Sequence, residues 1–305
     1  MKIIVAPLQG FTDCFWRRAH AHAMQRRGLP VAAYCAPFVR IDKGEPRRRD
    51  LADIAPRANE GLDVLPQAIF RDADELGAIA SAISALGYSR INLNLGCPFP
   101  PQVKAGRGAG ALRSEALAAA TAVMAAHPDI RFSVKMRPGV RLIDEWSELA
   151  DTLNAMPLEF VAIHPRTAVQ AYRGEVDRAV FAEMAHKLHH RVVFNGNLTT
   201  PEQVSEVFDL FPTVAAVMVG RGVLARPSLP AEVLTGKEWS DDERVELWLE
   251  ILRDVACQLS EASCGEAQAL SRIQPRLEYA EAALPRSLLK ALRKARSLSA
   301  FTALL

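Results

Sequence analysis

A chain of 305 residues is long for one small domain and suits a β/α barrel of about 250 residues with a modest second unit. Half of it is hydrophobic and 24% is charged, which excludes a disordered chain, and no apolar run nears the roughly 20 residues of a membrane span. With 37 basic and 35 acidic side chains the net charge is only +2, so the chain as a whole is not a polycation.

The opening stretch from Met1 to Pro7 is too short and too soon interrupted for a signal peptide, and a cytoplasmic protein is expected. Short apolar, β-branched runs then recur at Ile3 to Ala6, Val31 to Ala36, Val64 to Ile69, Arg90 to Leu95, Phe132 to Met136, Phe160 to His164, Val192 to Asn195 and Val214 to Val219. Between them lie segments with apolar residues three or four apart, among them Asp74 to Leu86, Ser114 to Ala126, Asp144 to Met156 and Thr200 to Phe211, which predict outer helices. Ser114 with Glu115, and Thr200 before Pro201 and Glu202, are expected to cap two of these helices. Eight strands alternating with helices predict an α/β fold, a (β/α)8 TIM barrel. After about Leu234 the strand signal stops, and Asp241 to Leu259 and Leu284 to Leu298 look helical. The chain is therefore expected to divide into a barrel, 1–235, and a small C-terminal helical domain, 240–305, with Gly236 near the boundary.

Five cysteines, with no C-x-x-C pair and no clustered histidines at zinc spacing, predict neither disulfides nor a metal site. Cys14, Cys35, Cys257 and Cys264 are expected to be buried and inert. Charge is uneven along the chain. Arg272, Arg276, Arg286, Lys290, Arg293, Lys294 and Arg296 face only Glu278 and Glu281 in the same stretch, a tail able to lie along a phosphate backbone.

In such barrels the chemistry sits where loops converge at the C-terminal ends of the strands. Here nearly every strand ends in a polar residue: Gln9, Arg40, Gln67, Asn94 with Cys97, Lys135, His164, Asn195, and Gly220-Arg221. One of these alone would be an ordinary loop residue; so many at equivalent places point to a site. Asn195-Gly196-Asn197 and Gly220-Arg221-Gly222, after strands seven and eight, supply glycines for close approach, amides and a fixed positive charge, as a phosphate group requires. The run Asn92-Leu93-Asn94-Leu95-Gly96-Cys97-Pro98 puts a thiol beyond strand four. With a pKa near about 8.5 a thiol is mostly protonated at neutral pH and can donate a proton. Ala105 to Gly110 is glycine-rich but does not open directly from a strand into a helix, so it is read as a mobile lid carrying Cys97 and not as a phosphate loop.

Taken together, these motifs resemble the tRNA-dihydrouridine synthases from residue 5 to about residue 230, with a likeness to the bacterial C-type that acts at position 16. The segments that carry the resemblance are Ala6-Pro7-Leu8-Gln9-Gly10-Phe11-Thr12-Asp13, Asn94-Leu95-Gly96-Cys97-Pro98, Gly106 to Leu112, Val134-Lys135-Met136-Arg137, His164-Pro165-Arg166-Thr167 with Tyr172 and Gly174, Asn195-Gly196-Asn197, and Val217 to Gly222. The resemblance implies an FMN cofactor held by Pro7, Leu8, Gln9, Gln67, Lys135, His164, Asn195, Gly196, Asn197, Gly220 and Arg221, with NADPH as reductant. It implies hydride delivery to C6 of uracil and a proton from Cys97 to C5. It also implies a tRNA substrate, met by Arg40, Asn94, Arg137, Arg166, Tyr172, Arg272 and Arg276; separately, a monomer is expected. Leu8, Pro138 and Phe99-Pro100-Pro101-Gln102 depart from the family pattern without removing a residue the chemistry needs. Two enzyme alternatives are a flavin barrel that reduces free pyrimidines and an aldolase-type barrel with Lys135 as its Schiff base. A third is a non-catalytic RNA-binding module.

Overall fold

The structure, a computed structural model, describes residues 2–262 and 265–305; Met1 and Cys264, both named above, lie outside the described residues. The described strands are β1 (Ile3–Val5), β2 (Ala33–Val39), β3 (Ile41–Asp42), β4 (Glu45–Pro46), β5 (Val64–Ala68), β6 (Arg90–Leu95), β7 (Arg131–Met136), β8 (Leu158–Ile163), β9 (Val192–Asn195) and β10 (Ala216–Val219). Eight of them close a parallel barrel in the ring order β1-β10-β9-β8-β7-β6-β5-β2, which is the predicted TIM barrel. The remaining two form an antiparallel hairpin beyond β2 that no sequence pattern predicts. Its strands are two residues each, too short to show alternation, and its turn places Lys43 at φ 53° and Gly44 at φ 86°, the left-handed pair that tight hairpins favour.

Strand alternation sorts side chains between two cores. On each strand one set of residues packs outward against the helices, as Ile91, Leu93 and Leu95 of β6 and Phe132, Val134 and Met136 of β7 do. The other set points into the barrel, where Ile4, Ala6, Cys35, Leu65, Ala162, Val193, Ala216 and Met218 fill the interior. Period two then fixes what comes next on the inward side. Gln67, Asn94, Lys135, His164, Asn195 and Gly220 continue the inward rows two positions nearer the C-terminal mouth.

Most helices match the expectation within a few residues. Thr200 forms a capping box with Gln203, and Pro201 opens the Pro201–Leu210 helix. Ser114, by contrast, is already the first helical residue; Arg113 holds the cap position in extended backbone, with no side-chain hydrogen bond. The helix expected from Asp144 is a 3-10 turn, Glu145–Leu149, followed by Ala150–Ala155. The carboxylate of Glu145 turns back to accept from the amides of Val140, Arg141 and Leu142, which draws the start of the segment into a loop. Pro285 and an extended Ala295 confine the last long helix to Arg286–Lys294, with Leu298–Thr302 beyond it.

Gly236, in the left-handed conformation, ends the Leu229–Thr235 helix, and a capping box of Ser240 with Glu243 starts Asp241–Glu261. This helix lies on the barrel helix Cys14–Arg26 and buries Leu247, Trp248, Ile251, Leu252, Val255 and Leu259. Polar links reinforce the apolar contact: His22 with Asp254 at 3.0 Å, Arg26 and Arg27 with Glu250, and the Trp248 indole N–H donating to the Ala225 carbonyl at 3.2 Å. Among the other cysteines, Cys14 and Cys35 are buried, whereas Cys257 is exposed on the outer face of this helix, contrary to expectation.

Candidate active site

The inward polar residues open into a cavity of about 1460 Å³ at the C-terminal mouth of the barrel. Ligand pockets are commonly about 300–1,000 Å³, so this cavity is larger than most. Pro7, Leu8, Gln9, Arg40, Asn94, Cys97, Lys135, Arg137, His164, Tyr172, Asn195, Gly196, Asn197, Gly220 and Arg221 all line it. Gln67, Arg166, Arg272 and Arg276 do not.

Gln67 is wholly buried, one layer below the cavity, within a chain of amides. Asn92 donates to the Ser133 hydroxyl at 2.9 Å, Gln67 Nε2 donates to Asn92 Oδ1 at 2.7 Å, and Asn94 Nδ2 donates to Gln67 Oε1 at 2.8 Å. The chain ends on the thiol loop, where Asn94 Oδ1 accepts from the amides of Gly96 and Cys97 at 3.1 and 2.8 Å. Both acceptor positions of that oxygen are taken, and one Nδ2 hydrogen remains. Asn94 is thus left with a donor and no acceptor for a ligand.

Cys97 is half-buried. Burial pushes its thiol pKa up, opposed by the Phe99 amide and by Arg137 and Lys135, so the thiol is held in the proton-carrying form. The glycine stretch beside it is not a lid. Residues Gly108–Ala111 form a 3-10 turn with Gly108, Ala109 and Ala111 buried, and Ala109 N–H donates to the Cys97 carbonyl at 3.1 Å. A Cβ at Gly108 would lie 2.7 Å from Cys97 Cβ, and one at Gly110 2.3 Å from the Val103 carbonyl oxygen. These glycines serve close packing, not motion.

Positive charge gathers beside the thiol loop and along the wall beyond it. Lys135, without a hydrogen-bond or ion-pair partner among the described residues, has its pKa pulled down to about 8 by burial and by Arg137. His164 is driven well below its usual value by burial and by Arg137, Lys135, Arg166 and Arg221. Its Nε2 faces Arg166 Nη1 at 3.3 Å; a guanidinium can only donate, so the ring is neutral with its proton on Nδ1. Arg137 is buried, donating to the Gly96 carbonyl at 2.9 Å and the Thr167 carbonyl at 2.9 Å, so it ties the thiol loop to the loop after β8. Arg166 is buried behind the wall, bonded to the Gly174 carbonyl and to Asn197 Oδ1 at 3.1 Å. Arg221 reaches Asn197 at 3.3 Å and stacks under the exposed Tyr172 ring at 4.4 Å. Glycine is required here too: a Cβ at Gly196 would stand 2.6 Å from Val176, and one at Gly222 only 1.9 Å from the Leu198 carbonyl oxygen.

The remaining expected RNA-binding residues fall elsewhere. Arg40 lines the mouth while paired to Asp50 at 3.0 Å. Arg272 lies over the Phe15 ring at 4.5 Å and pairs with Asp13 at 3.3 Å. Arg276 is 1% exposed and pairs with Asp13 at 2.7 Å. Burial would raise the pKa of Asp13, but the two arginines hold it below the usual carboxylate range. Asp13 also caps the Cys14–Arg26 helix through the Trp16 amide at 3.2 Å. Arg276 is therefore a seam residue between the barrel and the C-terminal helices, enclosed where an RNA phosphate has no access. The same seam brings Tyr279, edge-on to Phe11 at 5.1 Å, into the cavity wall with Glu278. No sequence pattern marks Tyr279, because an aromatic within a helical stretch carries no address.

A family described as Dihydrouridine synthase (Dus) matches residues 4–283. A probable tRNA-dihydrouridine synthase of Rhodobacter capsulatus is 27% identical over 318 residues, covering 96% of this chain and 94% of that protein. The tRNA-dihydrouridine(16) synthase of Salmonella typhimurium is 31% identical over 235 residues, 75% of each. Among solved structures, morphinone reductase matches with a TM-score of 0.55 at 12% identity, covering 78% of this chain and 87% of that one, a likeness of fold.

Proposed function

Because the chain belongs to the dihydrouridine synthase family, we propose that it reduces uridine to 5,6-dihydrouridine in the D-loop of tRNA, at position 16, as a cytoplasmic monomer using FMN and NADPH. The observation that carries the reading is the cavity itself. It sets a half-buried thiol beside Lys135 and Arg137, in a wall that continues to Arg221, with Glu175 and Glu278 as the carboxylates among the lining residues. Such a wall suits a ligand that is both phosphorylated and anionic. The residues present fit FMN: Asn195, Gly196, Asn197, Gly220 and Arg221 would hold its phosphate end, and Lys135 its pyrimidine end. FMN, reduced by NADPH, would supply the hydride for C6 that no side chain can donate.

The chain's own residues do the rest. Lys135 places positive charge where negative charge accumulates. Cys97, kept protonated by burial, holds the proton for C5. Asn94 presents its one free N–H, which suits a uracil carbonyl. A uridine in folded RNA reaches such a cavity only by leaving its stack, and the position-16 assignment rests on the similarity to the Salmonella protein. The helical unit, 240–305, offers a platform for the remainder of the RNA: Arg286, Lys290, Arg293 and Lys294 are exposed at spacings of four, three and one along one helix face.

The test is the visible spectrum of the purified protein, followed by NADPH oxidation with and without unmodified tRNA, with the product mapped by nucleotide. Flavin absorption and tRNA-dependent dihydrouridine at position 16 are expected. A protein still colourless after incubation with FMN would overturn the mechanism, and product at another position would overturn the position-16 assignment alone.

A further inference from the structure

Cys97 is gripped from two sides. From within the barrel, Asn94 Oδ1 accepts its amide at 2.8 Å. From outside, Ala109 N–H holds its carbonyl at 3.1 Å, and Gly108 packs so closely on it that a Cβ there would lie 2.7 Å from Cys97 Cβ. The outer grip has its own anchor. Arg107, the residue before Gly108, sends a two-pronged ion pair to Glu75, with Nε to Oε2 at 2.8 Å and Nη2 to Oε1. Glu75 is 5% exposed and sits in the first turn of the Ala73–Ala85 helix, where its amide donates to the capping carboxylate of Asp72 at 3.0 Å. It also accepts from the Arg71 amide at 3.2 Å. Arg107 keeps its backbone in place by donating to the Gln102 carbonyl at 2.9 Å and accepting from Gly110 at 3.0 Å. Its side chain takes no part in lining the cavity, so it does not meet a ligand directly.

We infer that Arg107 and Glu75 are positioning residues: their fork-to-fork ion pair presses the Gly108–Ala109 turn against Cys97 and so fixes the direction from which its thiol gives up a proton. The inference rests on the reading of Cys97 as the proton donor. A planar guanidinium meeting a carboxylate at two points fixes angle as well as distance, and a misplacement of about 1 Å at a reacting group costs about 100-fold in rate. A lysine can restore the charge at this place but not the angle.

The experiment compares holoenzyme carrying Arg107→Ala, Arg107→Lys or Glu75→Gln with wild type, after each is checked for its FMN content. The first readout needs no turnover: the alkylation rate of Cys97 by iodoacetamide against pH, followed peptide by peptide, with the exposed Cys257 as internal reference. Releasing the grip lets water in, so the pH midpoint of Cys97 should fall toward an ordinary thiol, about 10-fold faster reaction at pH 7 for each unit of fall. Arg107→Lys should lie between Arg107→Ala and wild type. The second readout separates the half-reactions. Reduction of the bound flavin by NADPH should be unchanged, while its reoxidation by unmodified tRNA should slow about 10-fold in Arg107→Ala. Unchanged Cys97 alkylation would overturn the inference, as would equal slowing of both half-reactions, the mark of general damage. A wild-type enzyme that reduces no uridine would overturn the synthase reading instead, and the alkylation result would still decide the buttress.

Discussion

At the scale of single residues the site works by keeping protons where they are wanted. Burial raises the Cys97 thiol, so the thiol proposed as proton donor stays loaded above the pH at which a free thiol empties. The turnover rate should hold past about pH 8.5 and fall only above it; a falling limb at the ordinary thiol value would show that burial does not protect it. Cys97→Ala should lower turnover by about 100- to 10,000-fold while the flavin spectrum persists. Lys135 carries the opposite shift, down to about 8. An anion bound beside it favours the protonated form, so FMN binding takes up a proton above pH 8 and its affinity should weaken as pH rises from there, by at most about 10-fold per unit. Isothermal titration across pH 7 to 10 checks this, and Lys135→Met should flatten the dependence. Much of the mouth is legible in the sequence because polar residues at strand ends in period two can only point inward. The arginines are less so: charge alone does not tell a buried tie such as Arg276 or Arg166 from a surface cation such as Lys290, since the difference lies in the partner, and Asp13 is 263 residues from Arg276.

At the scale of elements, the strands are legible because each is a run of apolar residues ended by a polar one, and the structure shifts their ends by no more than a few residues. The β3–β4 hairpin escapes because two-residue strands have no pattern. The glycine stretch near Cys97 misleads for a definite reason: glycine permits both motion and close packing, and only the neighbouring Cys97 and Val103 backbone shows which is used. Gly222→Ala follows from the same logic. With a Cβ 1.9 Å from the Leu198 carbonyl oxygen, the substitution should cost about 1–3 kcal/mol and loosen the phosphate end of the cavity, seen as a lower denaturation midpoint and weaker FMN retention. Ser240→Ala removes one half of a capping box far from the cavity; it should cost about 1 kcal/mol and leave FMN binding unchanged.

At the scale of the whole molecule, the barrel and the C-terminal helices share a wall. Lys290→Glu with Lys294→Glu alters only exposed charge; it should weaken tRNA binding and make the affinity less sensitive to salt, by about one unit of slope for each phosphate no longer neutralised, with flavin content intact. Removing residues 240–305 is a different operation. It strips Trp248, Ile251 and Val255 from the Cys14–Arg26 helix and leaves Asp13 without Arg272 and Arg276, so the shortened chain should aggregate or lose its flavin, as size-exclusion chromatography with absorbance would report. The same seam has a consequence for synthesis. Asp13 emerges from the ribosome early and its partner Arg276 follows 263 residues later, roughly 13 to 50 s at about 5–20 residues per second. Until the Asp241–Glu261 helix is made, the face of the first barrel helix that it covers has no partner, and until the last barrel strand is made β1 has no β10 to close the ring. The nascent chain is thus a customer for a holdase from its first helix to nearly its last, and its yield in a cell should depend on chaperone supply more steeply than its final stability suggests.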